Sequence, residues 1–396
     1  MIYVPLICLN LKGVLAMIKK ALPIFLLFAI LNFSLPTALA AIPEKTLTAA
    51  NNGNAKAQFI LGYSYLFGMD VEKDVSASVH WFQKAADQAY APAQIALAEF
   101  YLRGFGVERD HSKAFFLFKS AADQGDAVAQ YCLGRMWFSG IGVTPNANEA
   151  YKMFQAASVQ GFPPSQYMLS TMMLTGLGCE RDEAGAIKWL QRSADSGYPP
   201  AEYDFGAYHD STKNYSEAIK YYQLASDKDY APAHNNLGVH FALGMGVNKD
   251  YQKAMELYLK AAKQENARAQ SSLGKMNANG EGVPVNVLEA LRWFTMAANH
   301  GFPEGQYNLA ALYMSGRGMP VDYLLAYFWF RLASDGGFTM AEKYVTIAGQ
   351  MLSPAQKEEM DKKILDWKAK NRYWRDSDYF YSKFFWTTLI GFEKPE

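Results

Sequence analysis

Three sets of residues in this 396-residue chain have types and spacings that could support chemistry. Ser272 and Lys275 stand in an SxxK spacing, which places a nucleophilic hydroxyl and a basic amine one helical turn apart, as in β-lactam-binding enzymes. Cys132 and Cys179 are thiols that could pair or react. His209 and His240 occupy nearly equivalent places in two successive repeats, where imidazoles could share a metal ion.

Each of these sets is weak evidence for catalysis. The SxxK match has no accompanying KTG or SDN, and the chain contains no HExxH, GxxxxGK[ST], GxSxG or paired CxxC motif. The two cysteines are expected to lie roughly 16 Å apart along the axes of parallel helices, at 1.5 Å per helical residue. A disulfide needs Cα atoms within about 7 Å of each other. We therefore expect no enzyme, no metal and no cofactor. The alternative is a cell-wall-directed hydrolase or β-lactam-binding protein that uses Ser272 and Lys275.

The elements that position these residues follow from a strict internal period. A small residue, here numbered position zero, recurs every 36 residues, except for one spacing of 32 between the fifth and sixth copies. The eight copies of position zero are Ala57, Ala93, Ala129, Ser165, Ala201, Ala233, Ala269 and Gly305. Leucine or phenylalanine follows at position four and mostly an aromatic residue at position eight. These positions form one stripe of a helix and predict its buried face.

A second helix is predicted after each of these first helices. A GxG pair such as Gly140-Ile-Gly142 is typical of a helix end, and a following Asp or Asn such as Asn146 is typical of the next helix start. The second helix then carries a bulky pair such as Trp293-Phe294 and closes on small residues. The fifth copy is four residues shorter and lacks the GxG pair, so we expect a local change of superhelical rotation near residues 207–216.

The predicted fold class is therefore all-α, an α/α solenoid formed as a right-handed superhelix of eight helix-turn-helix repeats. A C-terminal helical cap is expected over residues 338–370, with Ser353, Pro354 and Gln356 as its start signal. The predicted repeats span residues 53–89, 90–125, 126–161, 162–197, 198–229, 230–265, 266–301 and 302–337.

The repeat pattern, Ala-Gln-x-x-Leu-Gly-x-x-Tyr, then Gly-x-Gly-Val, Asp and Ala-x-x-Trp-Phe-x-x-Ala-Ala, closely resembles the Sel-one-like repeat (SLR) family, a relative of the tetratricopeptide repeat. The resemblance covers residues 53–337, and the shortened fifth copy departs from it. It implies a scaffold for protein–protein interaction. It also implies roles in envelope regulation, polysaccharide export or host interaction, without choosing among them.

A binding surface is expected opposite the buried stripe, at positions two, six and ten of the first helices, which would line the concave face. These positions vary between copies, and tyrosine and arginine are common anchors of protein interfaces. The expected partner is a protein or peptide, with a glycan-binding groove as an alternative, and tyrosine at position two could instead pack between adjacent helices. The candidate residues are Tyr131, Tyr167, Tyr203, Tyr307, Arg135, Glu99, Arg103 and Lys275.

The two ends of the chain predict where the protein acts. Lys19-Lys20, an apolar run over 21–31 and the Ala38-Leu39-Ala40 segment predict a secretory signal peptide over 1–40 that is cleaved after Ala40, with 1–16 as an over-extended start before Met17. An uncleaved anchor is the alternative. From Ala41 onward 35 basic residues face 38 acidic ones, so we expect a periplasmic or secreted protein with no integral membrane span after cleavage and no nucleic-acid partner.

The segment 371–396 is rich in aromatic residues. It contains nine of them in 26 residues. It is expected either to fold back on the last repeats or to form an exposed interaction segment, because large apolar patches on secreted monomers usually mark contacts.

Overall fold

The computed structural model describes residues 44–371, and within this range the chain forms nineteen helices and no β-strand. The all-α prediction is confirmed. The predicted signal peptide and the aromatic segment beyond Asn371 lie outside the described residues. Over 44–371 no helix combines the length and the apolar character that a membrane span requires.

The described chain divides into two compact units, residues 44–198 and 199–371. In residues 44–198 the helices are α1 Glu44–Asn51, α2 Ala55–Phe67, α3 Val75–Ala86, α4 Ala91–Arg103, α5 His111–Asp123, α6 Ala127–Ser139, α7 Ala147–Val159, α8 Pro163–Thr175 and α9 Glu183–Asp195. Even-numbered helices are the first helices of repeats one to four, and each packs against the odd-numbered second helix that follows it.

In residues 199–371 the same alternation continues through repeats five to eight. The helices are α10 Pro199–Ser211, α11 Tyr215–Asp227, α12 Ala231–Leu243, α13 Tyr251–Lys263, α14 Ala267–Asn279, α15 Val287–Asn299, α16 Pro303–Ser315, α17 Tyr323–Asp335, α18 Met340–Gln350 and α19 Pro354–Lys370. The predicted helix that starts at Ser353 is confirmed, with the reciprocal capping box between Ser353 and Gln356.

Two further helices continue the repeat phase: α18, which lies within the helical cap predicted over 338–370, and α1, which was not predicted. Ala341 in α18 lies 36 residues after Gly305, so α18 is the first helix of an incomplete ninth repeat. Ala49-Ala50 in α1 lies 36 residues before Ala85-Ala86, so α1 is a remnant second helix that precedes repeat one. Both half-repeats cover an apolar face that the neighbouring complete repeat would otherwise expose to water.

The helix ends form as the sequence dictates. Gly140 ends α6 in the left-handed conformation, with a φ of 70°, and its amide donates to the carbonyl of Met136. The side chain of Asp110 begins α5 by accepting from the amide of Lys113 at 2.9 Å. At α7 the Asn146 side chain caps the helix by accepting from the amide of Glu149, while the Glu149 carboxylate pairs with Lys152.

A buried glutamine occupies position one in six repeats and hydrogen-bonds to residues at the ends of second helices, a role that the sequence analysis missed. Its amide donates to a carbonyl eight residues earlier, at the end of the preceding second helix. These bonds are Gln58 to Ala50, Gln94 to Ala86, Gln166 to Ser158 and Gln306 to Ala298, at 3.1–3.4 Å. Its carbonyl faces a side chain 30 residues later, in the pairs Gln58–Gln88, Gln94–Gln124, Gln130–Gln160 and Gln270–His300.

Candidate binding pocket

The tyrosines at position two pack inside the repeats. The Tyr131 ring lies 5.8 Å from Phe154 on the second helix of its own repeat and 5.4 Å from Phe162, which precedes the next first helix. Tyr131 is 3% exposed and Tyr167, which packs against Tyr198, is 7% exposed. The expectation that these two tyrosines lie on an open surface is therefore wrong.

The same three-ring arrangement recurs in residues 199–371. Tyr203 packs against Tyr222 and Tyr230, and Tyr307 packs against Phe330 and Phe338, with centroid distances of 5.0–5.7 Å. Tyr203 and Tyr307 are half-buried in these clusters. Each first helix contacts both its own second helix and the start of the next repeat, so position two is closed in by aromatic packing.

The charged candidates Glu99, Arg103 and Arg135 are brought together, but below the surface. The Glu99 Oε2 lies 2.6 Å from the Arg103 Nε, and the Arg135 guanidinium lies over the Tyr131 ring. Burial raises the pKa of Glu99, and the two guanidinium groups oppose that rise. Glu99 is 4% and Arg135 8% exposed and Arg103 is half-buried, so these three side chains do not present an open charged surface.

A pocket of about 450 Å³ opens in residues 199–371, along the first helices of repeats six to eight. Lys275, which the sequence analysis named as a candidate binding residue, lines this pocket. Its walls come from α12, α14, the start of α16 and the turn before α18. The lining residues are Asn235, Asn236, Val239, Arg268, Ser271, Ser272, Lys275, Phe302, Pro303, Glu304, Gly336, Gly337 and Phe338.

The pocket exists because two repeats lack a large side chain at position two. Five repeats carry an aromatic residue there, but repeats six and seven carry Asn235 and Ser271. In repeat seven Ser271 is followed by Phe302, so the aromatic residue before the next helix stays while its position-two ring is missing. The space that Tyr307 fills against Phe338 in repeat eight is thus left open in repeat seven. The sequence contained this signal, an interruption of the aromatic pattern at one position.

Polar groups line this opening. The ammonium of Lys275 is ion-paired with Glu304, which cancels the charge of both. Arg268 is exposed and forms no ion pair with any residue of the described range. Asn235 donates to Asn236 at 3.1 Å, and Asn236 donates to the Tyr222 hydroxyl at 3.1 Å. The pocket therefore has a fixed polar floor and one uncompensated positive charge.

The SxxK pair is divided between two different partners. Ser272 is hydrogen-bonded to the Tyr258 hydroxyl, and Lys275 is held by Glu304. A lysine whose ammonium is paired with a carboxylate is a poor general base for a serine. In this arrangement the two side chains act as pocket walls.

The other reactive side chains are also engaged in packing. His209 packs edge-on against Phe205 and is stacked with Tyr221, whereas His240 binds Asp210. Residues 44–371 contain no group of three His, Cys, Asp or Glu side chains that could hold a metal ion. Cys132 and Cys179 are free thiols. Burial raises the pKa of both thiols, which disfavours the reactive thiolate.

One arrangement that the sequence analysis did not anticipate resembles a catalytic triad. Ser226 Oγ lies 2.7 Å from His234 Nδ1, and His234 Nε2 lies 2.8 Å from Asp229 Oδ1. His234 occupies position one, where six repeats carry the glutamine described above, and both Ser226 and His234 are buried. The set thus substitutes for the glutamine bonds between helices, and a buried hydroxyl cannot meet a substrate.

Comparisons with known proteins agree with this architecture. The family model described as Sel1 repeat matches residues 55–90, 91–126, 127–162, 163–198, 201–230, 231–266, 267–302 and 303–338. A solved structure of a protective antigen present in uropathogenic Escherichia coli strains, displaying an SLR fold, is similar with 30% identity over 85% of this chain and 72% of that chain, at a TM-score of 0.66.

A second similar structure is that of a Sel1 repeat protein from Oxalobacter formigenes. It has 24% identity over 80% of this chain and 98% of that chain, with a TM-score of 0.56, and so supports the fold alone. No curated protein matches the sequence.

Proposed function

We propose that this chain, which belongs to the Sel1 repeat family, is a protein-interaction scaffold that acts outside the cytoplasm and recruits its partner through the pocket of repeats six to eight. The family has a scaffold fold, whose repeats supply a regular support for one irregular surface. The observation that carries the choice of surface is the interrupted aromatic pattern at Asn235 and Ser271. On the predicted tyrosine face, Tyr131 and Tyr167 are buried by aromatic packing.

The pocket has the properties of a recognition site. Its volume of about 450 Å³ lies in the range of roughly 300–1,000 Å³ typical of ligand pockets. It combines apolar walls from Phe302 and Phe338 with amide, hydroxyl and guanidinium groups that can fix an orientation. Interfaces of moderate polarity with an arginine at their centre are typical of protein partners.

Filling the pocket is the direct test. Ser271→Tyr places at position two an aromatic ring of the kind that five other repeats carry there. We therefore expect a folded protein whose recovery of crosslinked partner falls at least tenfold in a pull-down. Lys260→Tyr, on the exposed side of α13, adds the same side chain away from the pocket and should leave recovery unchanged. Equal recovery by Ser271→Tyr and wild type, with matching melting temperatures, would remove the support for this surface.

The proposed location rests on the charged, apolar and small-residue order of residues 1–40. We expect the protein to be recovered from the periplasmic or culture fraction, with Ala41 as its first residue. Intact-mass measurement of the purified protein checks this. A cytoplasmic protein that retains Lys19 and Lys20 would contradict the proposed export, without bearing on the pocket.

A further inference from the structure

We propose that the pocket of repeats six to eight recognises the free carboxyl end of an extended peptide whose last side chain is apolar, an inference that rests on the interaction role proposed above. Three features of the pocket point to this ligand. They are its single uncompensated charge, an unsatisfied buried carboxamide and two aromatic walls.

The charge of the pocket selects one negative group. Lys275 and Glu304 neutralise each other, which leaves the Arg268 guanidinium as the charge that a ligand can compensate. A guanidinium presents its donors in a planar fork that matches the two oxygens of a carboxylate. A dianionic phosphate would bring a second negative charge close to Glu304, which lines the same pocket.

The carboxamide of Asn235 selects a hydrogen-bond donor beside that negative group. Asn235 is 5% exposed, and its Oδ1 has no hydrogen-bond partner among the described residues, while its amide nitrogen donates to Asn236. A buried acceptor without a donor is costly, and because Asn235 lines the pocket, a donor on a bound ligand would satisfy its Oδ1. A peptide end supplies this donor, because the N–H of the last residue is separated from its carboxylate by one carbon. Phosphate and sulfate supply none.

The remaining walls select an apolar side chain. Phe302 and Phe338 face the pocket, together with Val239 and Pro303. Phe302 lacks the position-two ring that Tyr307 provides for Phe338. An aliphatic or aromatic side chain at the ligand's end would take the place of that ring, as Tyr307 does in repeat eight. An acidic sugar carries the carboxylate but no such apolar group.

An array of octapeptides with varied last residues, immobilised through their amino ends, tests this inference with the purified full-length protein. One copy of the array has free carboxyl ends and a second copy has carboxamide ends. We expect binding to the free-carboxyl copy, strongest for apolar last residues, and at least tenfold weaker binding to the amidated copy. Arg268→Gln should weaken binding about tenfold or more, whereas Arg292→Gln, on the exposed face of α15, should not change it.

The outcomes separate this inference from the proposed scaffold role. Equal binding to both arrays, or full binding by Arg268→Gln, would overturn the carboxyl-end specificity even if Ser271→Tyr still abolishes capture of the cellular partner. If neither array binds, and hyaluronan fragments or inorganic phosphate release the captured cellular partner, the ligand of the pocket would be another anion and not a peptide end. Loss of carboxyl-dependent binding in Ser271→Tyr would place the peptide in this pocket. If Ser271→Tyr keeps its carboxyl-dependent peptide binding and also captures its partner normally, both proposals fail together.

Discussion

Replacing Gly142 by alanine is expected to destabilise residues 44–198 by about 2–5 kcal/mol. Gly142 is the second glycine of its GxG pair and has a φ of +71°. An added Cβ would lie 2.4 Å from the carbonyl oxygen of His111 and 2.7 Å from its carbonyl carbon, at the start of α5 in the preceding repeat. Backbone atoms cannot move aside as a flexible side chain can, so the two repeats would be forced apart. The loss should appear as a lower midpoint of urea unfolding, followed by circular dichroism.

Gly161→Ala separates this close approach from backbone conformation alone. Gly161 has a φ of +85°, but an added Cβ would meet nothing within 4 Å. The cost should therefore be only the left-handed strain, about 1–2 kcal/mol. The chain itself accepts this strain, since the equivalent positions in other repeats are Ala89, Asp229 and Glu265, all with positive φ. Equal losses for Gly142→Ala and Gly161→Ala would show that the contact with His111 contributes nothing.

The helices and their boundaries could be predicted from the sequence because each depends on local signals that recur with the repeat. Glycine in the left-handed region, an Asp or Asn cap and a buried stripe act within a few residues of one another, and Gly140 and Asp110 behave as expected. The helix α1 was missed and α18, within the predicted cap, was not recognised as a half-repeat, because each carries only part of the pattern. They could have been found by extending the 36-residue phase to Ala49 and Ala341.

The candidate site could be predicted only in part, because a helical wheel does not show how many neighbours a helix has. Positions opposite the buried stripe were expected to be open, yet Tyr131 and Tyr167 are enclosed by rings from their own repeat and the next. Lys275 was selected as a protein-binding candidate for the variability of its position, and the structure places it in the wall of the pocket. Arg268 was missed because it precedes the helical stripe used to select candidates. Its importance depends on the missing ring at Ser271, which becomes visible only when the packing is known.

The stability of residues 199–371 is expected to fall as the pH rises from the weakly acidic to the weakly alkaline range, because of a buried pair formed by His240 and Asp210. The His240 Nδ1 donates to the Met245 carbonyl at 2.8 Å, and its Nε2 lies 3.0 Å from Asp210, so both ring nitrogens face acceptors. Burial opposes the charged imidazole, but the hydrogen bonds to Asp210 and Met245 outweigh it and raise the pKa of His240. Tyr222 donates to the same carboxylate, and the Tyr215 ring packs edge-on against the imidazole.

The sign of the pH effect follows from that raised pKa. The folded state binds the proton more tightly than the unfolded chain, whose histidine has an ordinary pKa of about 6.5. The added stability is therefore complete below this value and is lost as the pH rises through the higher pKa of the folded state. Urea midpoints measured between pH 5.5 and 8.5 should decline over that interval, and His240→Met should remove the decline attributable to this residue. Burial lowers the pKa of His209 in the same unit, which acts with the opposite sign, so the comparison is between wild type and variant. The same pH dependence in wild type and His240→Met would contradict the assignment.

Other repeats carry apolar residues at the positions of Asp210 and His240, and these suggest a variant that separates the effect of charge from that of packing. Asp210 stands at position nine and His240 at position seven of the next repeat, where earlier repeats have apolar pairs such as Leu66 with Phe100. Asp210→Leu combined with His240→Met should therefore restore an apolar contact and match or exceed the wild-type stability at pH 8, since buried ion pairs are often no more stable than apolar replacements. His240→Met alone leaves the Asp210 carboxylate with Tyr222 as its remaining partner and should cost about 1–3 kcal/mol. If the double variant keeps the pH dependence of the wild type, the titrating group lies elsewhere. If the double variant is less stable than His240→Met alone, the geometry of the pair and not its charge holds the two repeats together.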